Sequence, residues 1–140
     1  MKFRHVGIIV KDLKKSQKFY VNVLGLKKVV SLTEKGTYLN KLINTNQLEA
    51  KVLKLKTECG TIVEIIEFSK KNLQSRKNFM DVIGTMHMCF TVKNIEKLYK
   101  KIKKKGFRCF SNPLESPYNP VSTFFCYDPD NNIVQYTEDH

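Results

Sequence analysis

Two histidines occupy matching places in two similar segments of the chain. His5 opens the segment HVGIIVKDL and His87 opens HMCFTVKNI, with the second copy 82 positions after the first. In both copies an apolar strand is followed by a polar residue that can cap a helix. If the repeated modules pair about a pseudo-two-fold axis, the two imidazoles converge on one point. Converging neutral imidazoles most often bind a metal.

Each module also carries one oxygen donor near its end. Glu64 lies within TIVEIIEF and Gln135 within NIVQYTE, and the β-branched neighbours in both stretches predict strands. Side chains alternate between the two faces of a strand, so Glu64 and Glu67 point in opposite directions and cannot serve the same face. The repeat therefore predicts one histidine and one oxygen donor per module.

The first module reads as β-α-β-β-β. Apolar and polar residues alternate over 3–10, which places His5 and Gly7 on the face opposite the apolar side chains. Asp12 is predicted to cap a helix that Gly25 ends. Three further strands are predicted over 26–32, 50–57 and 61–68, the last two joined by a turn at Cys59-Gly60.

The second module repeats this order. A strand over 85–92 precedes a helix that Asn94 caps and Gly106 ends. The remaining segments are a short strand at 107–110, a Pro-rich loop at 111–120, and strands at 121–127 and 132–138 around the turn DPDNN. We therefore predict a single α+β domain with module one at 1–68, a linker at 69–82 and module two at 83–140, its two curved sheets lying beneath outer helices.

Composition narrows the class of protein. A chain of 140 residues with 41% hydrophobic residues has enough apolar side chains for one core. No apolar run reaches the roughly 18 residues of a membrane span, and the N-terminus lacks a signal pattern, so a cytoplasmic protein with no membrane contact is expected. The four cysteines have no CxxC spacing and are predicted to be free thiols.

The formal charge of +12 is compatible with an anionic substrate, with weak adhesion to nucleic acid, or with solubility alone. The densest basic run, KKIKKK at 100–105, lies on the predicted second helix. We interpret it as a solvated helix face. No motif for nucleic-acid recognition accompanies it, so no specific nucleic-acid partner is predicted.

The chain resembles the vicinal oxygen chelate superfamily, which includes glyoxalase I, methylmalonyl-CoA epimerase, extradiol dioxygenases and bleomycin or fosfomycin resistance proteins. The resemblance covers nearly the whole chain. The segments that carry it are the two histidine strands with VKDL and VKNI, the stretch from Phe19 to Leu26, VEI at 63–65, and DPDNNIVQ at 128–135. It implies paired β-α-β-β-β modules around a cleft that binds one divalent metal.

Carried over by position, the resemblance implies four metal ligands: His5, Glu64, His87 and Gln135. Two imidazoles, a carboxylate and an amide suit Ni, Co, Zn, Mn or Fe, and the single negative charge leaves the site positive. Most enzymes of the family have glutamate where this chain has Gln135. Ring-cleaving dioxygenases need a carboxylate there, so that activity is disfavoured.

The resemblance then implies a glyoxalase I-like lyase or isomerase that moves a proton next to a metal-bound carbonyl, with Glu64 as the catalytic base. Its substrate would be a small anionic thiol adduct. An acyl-CoA epimerase is the alternative within the enzyme class. The three arginines, Arg4, Arg76 and Arg108, are the candidates for binding an anion.

A different class remains open, namely a metal-free binding protein of the bleomycin-resistance type. In that case aromatic side chains would supply the stacking area, the candidates being Tyr38, Phe79, Tyr118 and Phe125. The modules can pair within one chain or between two chains, and the resemblance implies a homodimer.

Overall fold

The structure is a computed structural model that describes residues 1–46, 48–70 and 80–140. The chain divides into two compact units, Met1–Gln74 and Ser75–His140. The predicted linker at 69–82 lies mostly outside the described residues. Among the described residues, no helix has the length and apolar character needed to cross a membrane.

The first unit contains four strands and two short helices. In chain order its elements are β1 (His5–Val10), α1 (Leu13–Gln17), a π-helical segment (Lys18–Val23), β2 (Lys27–Lys35), α2 (Thr37–Leu42), β3 (Glu49–Lys56) and β4 (Ile62–Phe68). The strands form one sheet in the order β1-β4-β3-β2, with β1 parallel to β4 and the other pairs antiparallel. The four predicted strands and the helix after β1 are confirmed, and the structure adds a helix, α2, between β2 and β3.

One face of this sheet supplies the main core of the first unit. Ile8 and Val10 on β1 are buried, as are Val63 and Ile65 on β4. The π-helical segment adds Phe19, Tyr20 and Val23, which are all buried. The wider π-helical turn changes which side chains face inward, so these three side chains are buried whereas Leu13 and Leu24 are half-buried.

Helix α2 was not predicted, because the sequence there reads as a polar loop. Its only buried residue is Leu39, which packs with Ala50 and Val52 on β3. These side chains close one end of the sheet face opposite the main core, the face that also carries His5 and Glu64. A helix of six residues with no side-chain cap gives too little periodicity to detect.

The second unit repeats the architecture. Its elements are β5 (His87–Thr91), α3 (Ile95–Lys104), β6 (Leu114–Glu115), β7 (Val121–Tyr127) and β8 (Ile133–Asp139), and the sheet order is β5-β8-β7-β6. The fold class, α+β with two mixed sheets, is as predicted. The strand predicted at 107–110 is wrong, since that segment forms only an isolated bridge between Cys109 and Cys126. The edge strand β6 lies instead within the predicted Pro-rich loop.

The core of the second unit lies on one side of its sheet. Phe124 on β7 and Tyr136 on β8 are fully buried, with ring centroids 5.0 Å apart. Helix α3 contributes Ile95 and Ile102 to this core and leaves the lysines of 100–105 exposed. The run KKIKKK is thus a solvated helix face, as its pattern indicated.

The two units begin their first helices in the same way. Asp12 accepts a hydrogen bond from the Lys15 backbone N–H at 3.0 Å, and Asn94 accepts one from the Lys97 N–H at 2.8 Å. A glutamate from the last strand of each unit adds a second bond. Glu67 accepts from the Leu13 N–H at 2.7 Å and Glu138 from the Ile95 N–H at 3.1 Å. Both N-caps were predicted, and each carboxylate ties a helix start to its sheet.

Substituting Asn94 with alanine is expected to lower the free energy of unfolding by about 1 kcal/mol, because the amide oxygen that satisfies an exposed helix donor is lost. Urea denaturation of the wild type and the alanine variant, analysed with the same m-value, measures this difference. Asn94→Asp is the matched control and should stay close to the wild type, since aspartate caps equally well. Equal midpoints for the alanine variant and the wild type would contradict the role of the cap.

Candidate functional site

In the first unit, His5 and Glu64 lie on the sheet face opposite the main core. His5 on β1 is paired with Ile62, and its neighbour on the same face, Gly7, is paired with Glu64 on β4. The His5 Nε2 atom lies 3.5 Å from the Glu64 Oε2 atom. The carboxylate is largely covered, with 14% of its side chain exposed, whereas 37% of the His5 side chain is exposed.

Lys54 contacts the other oxygen of the same carboxylate. It is the register partner of Glu64 across β3 and β4, and its Nζ atom lies 3.0 Å from Glu64 Oε1. Glu67 points to the opposite face, where it binds Lys51 and the start of α1. The two glutamates therefore make their contacts on opposite faces of the sheet, as predicted.

In the second unit, His87 and Gln135 form the equivalent pair. Cys89, on the same face of β5 as His87, is the register partner of Gln135 on β8. The His87 Nε2 and Gln135 Oε1 atoms are 2.9 Å apart. The Gln135 amide N–H donates to the Thr123 hydroxyl at 3.1 Å, which fixes the amide with its oxygen toward the imidazole.

Both pairs have the spacing expected of neighbouring ligands on one ion. Two donors each about 2.1 Å from a metal are about 3.0 Å apart at a right angle and about 3.4 Å apart at the tetrahedral angle. The observed separations of 3.5 Å and 2.9 Å lie just above and just below these two values, each within about 0.1 Å. Among residues 1–46, 48–70 and 80–140, no three His, Cys, Asp or Glu side chains gather into a metal-binding cluster. Each unit taken alone supplies two of the four predicted ligands.

Sequence reasoning did not single out Lys54, although a signal was present. Lys54 and Glu64 each lie five positions from Cys59, at the centre of the β3–β4 turn. In the second unit, Phe125 and Gln135 each lie five positions from Asp130 in the β7–β8 turn. A hairpin pairs residues that are equidistant from its turn, so both neighbours follow from locating the turns. A cation thus flanks Glu64 and an aromatic ring flanks Gln135.

A row of rings extends from His87 across the same face of the second unit. The His87 ring lies 5.5 Å from the Phe125 ring in an edge-to-face arrangement, and Phe125 lies 5.9 Å from Phe110. Phe110 stacks on Tyr127 at 4.7 Å, and the Arg108 guanidinium sits 4.7 Å from the centre of the Tyr127 ring. We call His87, Phe125, Phe110 and Tyr127 the ring stack.

The other predicted binding residues differ in their positions. Arg4 is exposed at the N-terminus, and Arg76 lies outside the described residues, as does Phe79. Tyr38 on α2 and Tyr118 before β7 are both exposed. Of the four aromatic residues proposed for a binding protein, Phe125 is the one whose described contacts include a predicted ligand.

All four cysteines are free thiols, in agreement with the sequence analysis, and their environments differ. Cys59, exposed in the β3–β4 turn, forms hydrogen bonds with the hydroxyls of Thr57 and Thr61, which lower the pKa of its thiol to about 7. Burial raises the pKa of Cys126 to about 12 and also raises the pKa of Cys109. Of these three cysteines, Cys59 is the one with a thiolate available near neutral pH.

Cys59 is expected to react with iodoacetamide faster than Cys109 and Cys126, with a rate that reaches half its maximum near pH 7 because the thiolate is the nucleophile. Peptide mass spectrometry after short exposures between pH 6 and pH 9 measures this profile. Thr57→Val should shift the profile to higher pH, because the largest contribution to the lowered pKa is lost. Cys126 should react only after unfolding, and prompt labelling of Cys126 in the folded protein would contradict its burial.

The repeated modules, the strand order shared by the two sheets and the equivalent donor pairs are features of one protein family. Residues 2–136 match the model of the Glyoxalase/Bleomycin resistance protein/Dioxygenase superfamily, and the chain belongs to this superfamily. This confirms the resemblance drawn from the sequence.

Individual relatives agree with that assignment. The chain is 27% identical over 135 residues to the uncharacterized protein YraH of Bacillus subtilis (strain 168), covering 96% of each chain. A glyoxalase family protein from Bacillus cereus superposes with a TM-score of 0.89 at 15% identity, over 99% of this chain and 93% of that one. The fosfomycin resistance protein FosX from Listeria monocytogenes superposes with a TM-score of 0.66 at 19% identity, over 100% and 94% of the two chains. At these identities the structural matches establish the fold.

Proposed function

We propose that this protein is a metal-dependent lyase or isomerase of the glyoxalase type, which transfers a proton next to the carbonyl of a small thiol adduct. The observation that carries the proposal is the equivalence of two donor pairs. His5 with Glu64 and His87 with Gln135 occupy the same register positions in the two units. Each pair has a separation suited to neighbouring ligands.

The proposed ligands are the two imidazoles, the Glu64 carboxylate and the Gln135 amide oxygen. A divalent ion bound by this set would supply a Lewis acid that stabilises negative charge on the substrate oxygen. Ni, Co, Zn, Mn and Fe all accept such nitrogen and oxygen donors. The pairing that completes the set, within one chain or between two chains of a homodimer, is part of the proposal.

Glu64 is the proposed proton carrier. It is the one carboxylate in either donor pair, and it lies on the same face as His5, away from the main core. A carboxylate that takes and returns the same proton suits a 1,2-shift, whereas an epimerase needs a second base on the opposite face. Lys54, bound to Oε1, keeps the Glu64 side chain oriented, and the formal charge of +12 on the chain suits an anionic substrate. An acyl-CoA substrate fits the same charge and remains the alternative in the enzyme class.

A second candidate, a metal-free binding protein, is favoured by one observation. The Lys54 ammonium already neutralises the only carboxylate of the donor set, and the equivalent position in the second unit is a neutral glutamine. A donor set whose only carboxylate is already paired with an ammonium has no charge for a metal to neutralise, which suits a protein that binds its small molecule without a metal. Neither candidate calls for a specific nucleic-acid partner.

Metal content separates the two candidates. The purified protein would be loaded in turn with Ni, Co, Zn and Mn, desalted, and measured for bound metal and for turnover of a methylglyoxal–thiol adduct. One equivalent of metal together with turnover supports the lyase. Metal without turnover on this adduct directs the assay to acyl-CoA epimers. Failure of every loading to give bound metal overturns the lyase proposal in favour of the binding protein.

A further inference from the structure

We infer that the ring stack is the substrate-binding surface of the second unit, and that it selects a substrate with a flat apolar group between its carbonyl and an anionic group. This inference rests on the proposed function for the position of the carbonyl at His87. It adds a substrate class that the thiol-adduct chemistry alone does not specify.

The ring stack starts at a proposed ligand and continues without a break. His87 contacts Phe125, Phe125 contacts Phe110, and Phe110 stacks on Tyr127. These residues share one face of the β5-β8-β7-β6 sheet, opposite the buried Phe124 and Cys126 on β7. A substrate held at His87 therefore has rings beside it in one direction along the sheet.

The surface is open to a ligand within the second unit. Phe110 is 43% exposed and Leu114, on the neighbouring edge strand, is 54% exposed, so apolar surface next to Phe125 meets solvent. The second unit has a compact core elsewhere, on the other side of this sheet, so these side chains are not needed to fill it. Exposed adjacent apolar side chains beside a predicted active site are the usual mark of a ligand surface.

The far end of the ring stack is cationic. Arg108 lies over Tyr127 and donates a hydrogen bond to the Asn131 side-chain oxygen at 2.6 Å, which fixes the guanidinium at that place. Within the described residues, no carboxylate forms an ion pair with Arg108. Its charge is therefore available to a ligand anion, and the order of groups along the surface is His87, then aromatic rings, then a guanidinium.

Three methyl ketones test this order directly. In 4-acetylbenzoate a ring separates the ketone from the carboxylate, levulinate replaces the ring by a flexible chain, and acetophenone lacks the anion. Binding to metal-free protein is measured from backbone amide shifts in NMR titrations. The expected result is that 4-acetylbenzoate binds about 3- to 10-fold tighter than levulinate, the range that one aromatic contact provides. It should also bind tighter than acetophenone, and that second preference should decrease in high salt.

Variants assign these preferences to residues. Phe110→Leu keeps apolar area at an exposed position and removes the ring. It should therefore weaken the binding of 4-acetylbenzoate and acetophenone and leave the affinity for levulinate unchanged. Arg108→Gln should remove the preference for 4-acetylbenzoate over acetophenone. Tyr118→Leu, an exposed ring outside the ring stack, is the matched control and should change none of the three affinities.

The inference and the proposed function fail in different ways. Equal affinities for the three ketones, or a ring preference that Phe110→Leu leaves intact, would overturn the inference even if the protein binds metal and turns over thiol adducts. A ring preference located at Phe110 in a protein that never binds metal would retain the ring stack as a binding surface and discard the lyase together with the position of the carbonyl at His87.

Discussion

Replacing Glu64 with glutamine is expected to lower kcat on the best adduct by about 100- to 10,000-fold, the usual contribution of a positioned general base. The amide keeps an oxygen donor at the same place but cannot take a proton, so the variant should still bind one equivalent of metal at saturating loading while its turnover falls. Glutamine is compatible with this strand position, because Gln135 occupies the equivalent position in the second unit. The lost ion pair leaves Lys54, which is one-third exposed, free to reach solvent.

Glu67→Gln is the matched control on the same strand. Glu67 points to the opposite face and supports the start of α1, so its variant should lose stability and retain kcat. The comparison requires steady-state kinetics and metal analysis on the three proteins at equal loading. Glu64→Gln with wild-type turnover, or both variants with equally reduced kcat, would remove Glu64 from the proton transfer.

Much of the fold was predictable because it depends on local patterns. Strand alternation located β1 and β5, and polar residues before the helices identified the caps at Asp12 and Asn94. The misses have physical causes. The π-helical segment has more residues per turn than an α-helix, so α-helical periodicity does not predict which of its side chains are buried. Helix α2 is too short to show a pattern. Residues 107–110 have strand composition, yet beyond the bridge at Cys109 they do not extend the sheet.

The donor pairs were predictable for a different reason, namely that the chain repeats. Aligning the two copies of the repeat matches His5 with His87 and Glu64 with Gln135, and this needs no knowledge of their contacts. The side chains around these pairs do not repeat, since Lys54 and Phe125 occupy equivalent positions with unlike chemistry. Such differences carry specificity, and they become visible only once the register of each hairpin is known. The position of Arg108 over Tyr127 depends on a bridge that strand patterns did not indicate.

Removing the two matched histidines together is expected to abolish stoichiometric metal binding. Each single variant, His5→Ala or His87→Ala, should weaken binding by at least about 100-fold, because loss of even a residue that only supports a ligand costs 10- to 100-fold. The equivalence of the pairs predicts similar losses for the two single variants, since each leaves one unit with a lone oxygen donor. The histidines are exposed, so the substitutions should leave the core intact.

His140 provides the control that separates a metal site from general affinity of imidazole for metals. It is the third histidine of the chain and contacts the Ser122 hydroxyl at 2.9 Å, on the face of β7 opposite the Phe125 side chain. His140→Ala should therefore bind metal like the wild type. Competition titrations against a chromophoric chelator, with circular dichroism to check folding, measure all four variants. Strongly unequal losses for His5→Ala and His87→Ala would mean that the ion is held by one unit, and equal losses that include His140→Ala would mean surface adsorption. If one ion takes two ligands from each unit, His5→Ala and His87→Ala should lose metal affinity to a similar extent and His140→Ala should lose none. No other pattern of losses agrees with that arrangement.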